Sequence, residues 1–418
     1  MRVRDRRQVA GEFRRGWPVV LACFAAAIFA WGFAAFGPAV YLAELQRAYG
    51  WPAARIGTAT SLSFLVGAGL LPWTGAAIER FGPRLVLSGG LVLIGAGAVG
   101  VSRTTALWQL YPANLVIGVG WAGASSTAIS TILARSFDRR RGLALSFALT
   151  GASAGGFAVA PALVSLSHWR GLRAAVPELA LLLLVAILPL IWLGIRASAE
   201  SPPAAPPGAL PALAGRRAIL REARFWSIAA PFALAISAQV GMMVVEVSYL
   251  LPLLGSAGTA LALMATSIAG ASGRLALSPA IDRLDQRRVS AATFAAQAAG
   301  LTLMIACPGH PPALYLGSIL FGLGMGNVVA LPSLIIQREF APSSFGTVLG
   351  LSTAFGQMAY AVSPTVLGLV RDLAGGYRAS VAVCVALQVT AALTVLRRQR
   401  TPRPRRTTIA LPNWHFRN

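Results

Sequence analysis

LYPANLVIGVGWAGASSTAISTILARSFDRRR, residues 110–141, holds the pattern that decides the fold. An apolar run reaching back to Ala106 ends at Ala134, and Arg135, Arg139, Arg140 and Arg141 follow at once. A helix needs about 20 apolar residues to cross the hydrocarbon core of a bilayer. Arginines clustered just beyond such a run mark the cytoplasmic side. The stretch also recurs, as LYLGSILFGLGMGNVVALPSLIIQREF at 314–340. Leu110-Tyr111, Gly118-x-Gly120, Arg135-x-Phe137 and Pro161 return as Leu314-Tyr315, Gly322-x-Gly324, Arg338-x-Phe340 and Pro364, at an offset of 203 to 204 residues. Glu79-Arg80 and Asp282-Arg283 keep the same offset.

Outward from this stretch, eleven further apolar runs complete a set of twelve: 17–42, 56–78, 85–102, 106–134, 142–166, 173–195, 226–252, 257–281, 289–307, 312–336, 345–370 and 378–396. Six runs separate each repeated pair, so the halves share one orientation about an axis normal to the membrane. The expectation is an all-α membrane protein of twelve transmembrane helices in two parallel six-helix repeats. Its divisions are an N-terminal tail 1–16, a first half 17–196, a central loop 197–225, a second half 226–396 and a C-terminal tail 397–418. The central loop is Pro-rich over 197–215 and cannot be one continuous helix. Arg216 to Glu222 suits a short helix on the membrane surface.

Composition agrees. The 418 residues are 56% hydrophobic and 12% charged, against roughly 25% charged in soluble domains. The net charge of +23 is the balance of 36 basic and 13 acidic residues, and every one of the 36 is arginine, since the chain has no lysine. With the N-terminus inside, the inner segments hold 28 arginines and the outer segments 7, with one left inside a run. Both termini are therefore expected in the cytoplasm of a bacterial-type inner membrane. The basic charge sits in short inter-helix segments rather than on an aromatic-interleaved face, which argues against nucleic acid. Cys23, Cys307 and Cys384 lie far apart in or beside apolar runs, the pattern of small buried hydrophobes rather than a disulfide framework or metal site. No Walker loop, Gly-x-Ser-x-Gly elbow or metal-spaced His and carboxylate pair is present, so neither an enzyme nor an ATP-driven pump is expected, and no cofactor.

The odd arginine is Arg274, in the run 257–281. It lies eight residues before Asp282, or about 12 Å deeper than the inner surface at 1.5 Å per residue. That depth is close to the midplane, where a charge costs at least ~2.5 kcal/mol and normally faces a cavity with a partner. A planar guanidinium fork suits a carboxylate. The competing account is an arginine that snorkels inward or binds backbone carbonyls. Gln239, Asn327, Gln357, Tyr360, Ser153, Trp31 and Trp121 fall at similar depth, where a helix–helix hydrogen bond competes with ligand contact. Glu246 is the remaining charge well inside a run. It could serve as a proton site or an outer gate. Counting from the inner end puts it near the outer surface, which favours a wetted interfacial carboxylate. No histidine falls within a run, which excludes a histidine relay.

Between the second and third runs stands Gly75-Ala-Ala-Ile-Glu79-Arg80-Phe81-Gly82-Pro83-Arg84. It resembles the loop signature Gly-x-x-x-Asp-Arg-x-Gly-Arg-Arg of the major facilitator superfamily, with Glu79 in place of Asp. The copy around Asp282 and Arg283 matches more weakly. A charge cluster of this kind either latches the halves in one state or simply fixes the loop inside. Arg15-Gly16-Trp17, Tyr49-Gly50-Trp51, the Arg139-Arg140-Arg141-Gly142 entry to the fifth run and His168-Trp169-Arg170 resemble the monocarboxylate transporter and oxalate/formate antiporter branch. The resemblance covers nearly the whole chain. It implies a secondary transporter of a small organic anion, with Arg274 matching an arginine of those families and the polar residues above lining a central cavity. Two departures matter. Monocarboxylate transporters usually carry an Asp one turn before this arginine, where Gly270 stands here. Oxalate antiporters add a lysine in the eleventh run, and this chain has none. The substrate implied is thus a monocarboxylate, with a coupling proton or counter-anion as a further partner. The alternative on the same fold is an exporter of drugs or other amphiphiles.

Overall fold

The computed structural model describes residues 3–137, 141–195, 213–277, 284–328, 331–340 and 344–397. Every regular element among them is helical. The first half holds α1 (Gly16–Tyr49), α2 (Ala53–Phe81), α3 (Pro83–Arg103), α4 (Leu107–Ala134), α5 (Ala144–Arg170) and α6 (Leu172–Gly194). The continuous stretch Ala223–Leu277 is two helices, because Gly255 inside it has φ 69° and ψ −179°. Its parts, 223–254 and 256–277, are α7 and α8. A residue with a Cβ avoids this backbone conformation, so a single glycine makes the whole turn. α9 (Gln286–Ala306), α10 (Pro311–Val328 with Leu331–Glu339), α11 (Phe345–Ala374) and α12 (Tyr377–Val395) complete the set. A short helix, Leu213–Arg221, precedes α7.

Helices are what lipid demands, since a spanning segment must satisfy its backbone polar groups internally. The outer face of α6 shows the other half of that demand. Leu181, Leu182, Val185 and Leu193 are 65%, 66%, 64% and 77% exposed, an apolar stripe suited to acyl chains rather than water.

The sequence repeat is also a packing repeat. A Cβ added at Gly118 of α4 would lie 2.5 Å from the Ser63 carbonyl oxygen of α2. One added at Gly322 of α10 would lie 2.3 Å from the Thr266 carbonyl oxygen of α8. Gly97 meets the Ala113 carbonyl at 2.7 Å, and Gly300 meets the Gly317 carbonyl at 2.6 Å. Arg84 Nε donates to the carbonyl of Ile195, just past α6, and Arg287 Nη1 donates to that of Val395, the last residue of α12, at 2.8 Å. Each half thus uses glycines to bring its helices to backbone contact and an arginine to close its last helix.

The halves meet where α5 passes α8, with a Cβ at Gly156 2.6 Å from Ser267 Oγ, and along α2 and α11, whose contact at Ala53 and Asp372 lies at the end of the bundle opposite the chain termini. This is called the far end below, and the other the terminal end.

Candidate functional site

Arg274 sits where α8 and α10 touch backbone to backbone. A Cβ at Gly273 would lie 2.4 Å from the Leu323 carbonyl oxygen, and one at Gly326 2.5 Å from that of Gly270. Such small-residue seams let helices pack without intervening side chains. The Arg274 Nε donates to the Gly326 carbonyl at 3.1 Å. The residue is otherwise exposed, and among the described residues no carboxylate pairs with it. Asn327, on the next residue of α10, is 6% exposed. Its amide nitrogen lies 3.4 Å from the Gly273 carbonyl and 3.5 Å from that of Leu323. One glycine seam therefore carries an unpaired guanidinium and a carboxamide side by side. Gly270 belongs to it too, with a Cβ position 3.2 Å from the Gly322 carbonyl.

Counted along the helix, Arg274 is about 28 Å from the Gly255 turn at 1.5 Å per residue. It thus stands in the last turn of the described part of α8.

The other expected lining residues divide. Trp31 of α1 and Trp121 of α4 meet edge to face, with ring centroids 4.7 Å apart. Tyr360 of α11 meets Phe64 of α2 across the two halves, at 5.7 Å. Ser153 and Gln357 are half-buried. Gln239 is turned into the second half. Its Oε1 lies 3.3 Å from Gln297 Nε2, and Gln388 Nε2 in turn donates to Gln297 Oε1 at 2.8 Å. That amide chain ties α7, α9 and α12 together.

Glu246 corrects the interfacial reading. It is 1% exposed, and Thr266 Oγ1 of α8 donates to its Oε1 at 3.1 Å. Among the described residues no cation pairs with it. It lies about 14 Å along α7 from the Gly255 turn. The count from the inner end misplaced it because α7 is too long for the core to contain.

In the loop signature, Gly82 has φ 82° and its N–H bonds the Ile78 carbonyl, so it makes the turn from α2 to α3. A Cβ at Gly75 would meet nothing within 4 Å. Glu79 is exposed, with no ion pair among the described residues. Arg80 lies over the Phe81 ring at 5.4 Å, and Arg84 over that of Trp192 at 5.8 Å. Asp282 and Arg283 lie outside the described residues.

Two features escaped the sequence. Trp31–Phe36 in α1 and Gly155–Val159 in α5 are π-helical turns, and they face each other. A Cβ at Gly32 would lie 2.6 Å from Val159, and one at Gly155 2.6 Å from the Ile28 carbonyl. Wide turns of this kind concentrate at functional places. The second feature is Asp372, near the end of α11, whose carboxylate reaches the backbone of α2.

Two parallel six-helix halves, with a buried carboxyl and an exposed arginine that has no carboxylate partner among the described residues, have the make-up of a polytopic membrane transporter. The sequence model of the Major Facilitator Superfamily matches residues 22–258 and 254–413, and the chain belongs to that family. It is 36% identical over 171 residues to monocarboxylate transporter 13 of Bos taurus, covering 40% of the chain and 39% of that protein. The chain thus spans about two fifths of the length of that relative. Monocarboxylate transporter 11 of Homo sapiens is 29% identical over 343 residues, 77% of the chain and 70% of that protein. An uncharacterized MFS-type transporter, YcxA of Bacillus subtilis (strain 168), is 25% identical over 389 residues, 89% of the chain and 92% of that protein. In fold, the chain resembles a point mutant of the nucleoside transporter NupG, with TM-score 0.75 at 12% identity over 90% of the chain and 98% of that structure.

Proposed function

We propose that the chain carries a small monocarboxylate across a bacterial-type inner membrane by alternating access, with its terminal end in the cytoplasm. The observation that carries this reading is Arg274. A guanidinium on a membrane-spanning helix pairs with another charge or with backbone carbonyls. Here one carbonyl takes the Nε alone, and the two Nη groups of this exposed residue are left for an anion. The arginine asymmetry between loops supports the orientation. The relatives named monocarboxylate transporters support the substrate class.

In the same reading Glu246 binds the coupling proton. A lone carboxylate buried in an apolar bundle is costly unless a cation accompanies it. A proton on the carboxyl removes that charge, with the Thr266 hydroxyl beside it. The aspartate that the family resemblance places one turn before the arginine is Gly270 here, so Glu246 takes over that part from α7.

Purified protein screened against a panel of monocarboxylates tests this. At least one should raise the melting temperature in proportion to concentration, and Arg274→Gln should remove that rise. A panel without any stabilising anion, or an unaltered rise in the variant, rejects the assignment.

A further inference from the structure

We infer that Asp372 is a state-specific latch: from the second half it caps α2 of the first, and so holds the far end of the transporter shut. Asp372 lies in the last turns of α11. Its Oδ1 accepts the N–H of Ala53 at 3.0 Å and its Oδ2 that of Ala54 at 2.8 Å. Those are the first two residues of α2. A helix leaves its first four N–H groups without internal partners, and they attract negative charge. The residue that would ordinarily cap them is Pro52, and no side chain caps from that position. α2 therefore borrows its cap from the opposite half.

The face of α11 below Asp372 is shaped to let that cap reach. A Cβ at Gly368 would lie 2.6 Å from the Ala53 carbonyl oxygen. The Pro364 carbonyl oxygen comes within 2.3 Å of a Cβ position at Gly57. Thr365 Oγ1 donates to Ser61 Oγ at 2.8 Å, and the line ends at Tyr360 against Phe64. Residues 372, 368, 364 or 365, and 360 form one helical stripe, set against 53, 57, 61 and 64 running the other way. Beside it, the Tyr377 hydroxyl donates to Gln46 Oε1, joining α12 to α1. Arg371 Nη1 also donates to Asp372 Oδ1, at 3.1 Å.

Opening of the far end must part α2 from α11 along this stripe. The carboxylate then leaves two backbone donors that nothing else in α2 caps. Asp372 thus stabilises the far-closed state and adds nothing to the far-open one, which is what sets a two-state balance. Glu79, at the opposite end of α2, is exposed in the same structure.

The inference rests on the alternating-access reading, and its test needs no substrate. The reporter is Ser61→Cys, at a residue 5% exposed within the stripe, with the three native cysteines replaced by alanine. Its labelling by a maleimide is followed in detergent. Asp372→Ala should speed labelling about fivefold or more, the equivalent of one lost cap. Gly368→Ala, which leaves the carboxylate alone and wedges the stripe apart, should speed it too. A second protein keeps only the native Cys384, which is 0% exposed inside the second half, and should stay protected in both variants. Unchanged Ser61→Cys labelling in both variants overturns the latch. So does parallel labelling of Cys384, which signals general loosening. Anion binding is measured separately, so failure of the monocarboxylate assignment leaves this result standing, and the reverse.

Discussion

Arg287 of α9 and Glu339 of α10 meet through two hydrogen bonds, Nε to Oε1 at 2.7 Å and Nη2 to Oε2 at 2.9 Å. The guanidinium also donates to the carbonyls of Ser227 at 3.2 Å and Val395 at 2.8 Å, and to Ser227 Oγ at 2.9 Å. The Arg287 side chain is 3% exposed, so one residue clasps α7, α9, α10 and α12. Arg287→Gln should cost about 1.5–3 kcal/mol, the scale of hydrogen bonds to a charged group, since Glu339 is 23% exposed and keeps Arg224 at 3.8 Å. Arg287→Lys should not restore it, because a point charge cannot serve acceptors spread around a planar fork. Melting of the purified variants in detergent measures both.

Arg274→Lys keeps the positive charge and loses the bidentate geometry. A hydrogen bond to a charged group contributes about 1.5–3 kcal/mol, so monocarboxylate affinity should fall about tenfold or more. The variant's own melting temperature should stay near wild type, because Arg274 makes a single described hydrogen bond to the protein. Oxalate should bind wild type more weakly than the best monocarboxylate, since no lysine exists to meet its second charge. Tighter oxalate binding would falsify the single-cation site.

Glu246→Gln preserves volume and an acceptor for Thr266 while removing the titratable oxygen. In proteoliposomes, uptake driven by an imposed pH gradient should disappear, while exchange of substrate against substrate persists. pH-driven uptake of undiminished size in the variant takes the coupling role away from Glu246.

Gly273→Ala places a methyl group 2.4 Å from the Leu323 carbonyl oxygen. Overpacking of this kind costs about 1–3 kcal/mol. Because Arg274 is the next residue, anion affinity should fall together with the melting temperature. Gly69→Ala is the matched control: its Cβ meets nothing within 4 Å, and neither quantity should drop.

What the sequence revealed follows from the solvent. Lipid admits few backbone solutions, so twelve apolar runs and arginine-rich loops translate almost directly into twelve spans. Arg274 stood out because charge at that depth is rare. Depth itself was harder to read, since counting residues assumes a helix trimmed to the bilayer. α7, covering 223–254, is not, and Glu246 was placed at a surface it does not reach. The amide chain of Gln239 was not legible, because its partner Gln297 lies 58 residues away, and Gln388, which bonds Gln297, a further 91. Asp372 had no pattern to betray it. Its partners are backbone N–H groups more than 300 residues away, and those carry no side-chain signature.

The single-glycine turn at Gly255 has a practical meaning for anyone handling the protein. With a single residue between α7 and α8, that vertex offers a protease no extended segment and has little slack to absorb an inserted tag. The helix bearing Glu246 and the helix bearing Arg274 are also joined by one residue, so their ends at Gly255 cannot move apart by more than that glycine allows.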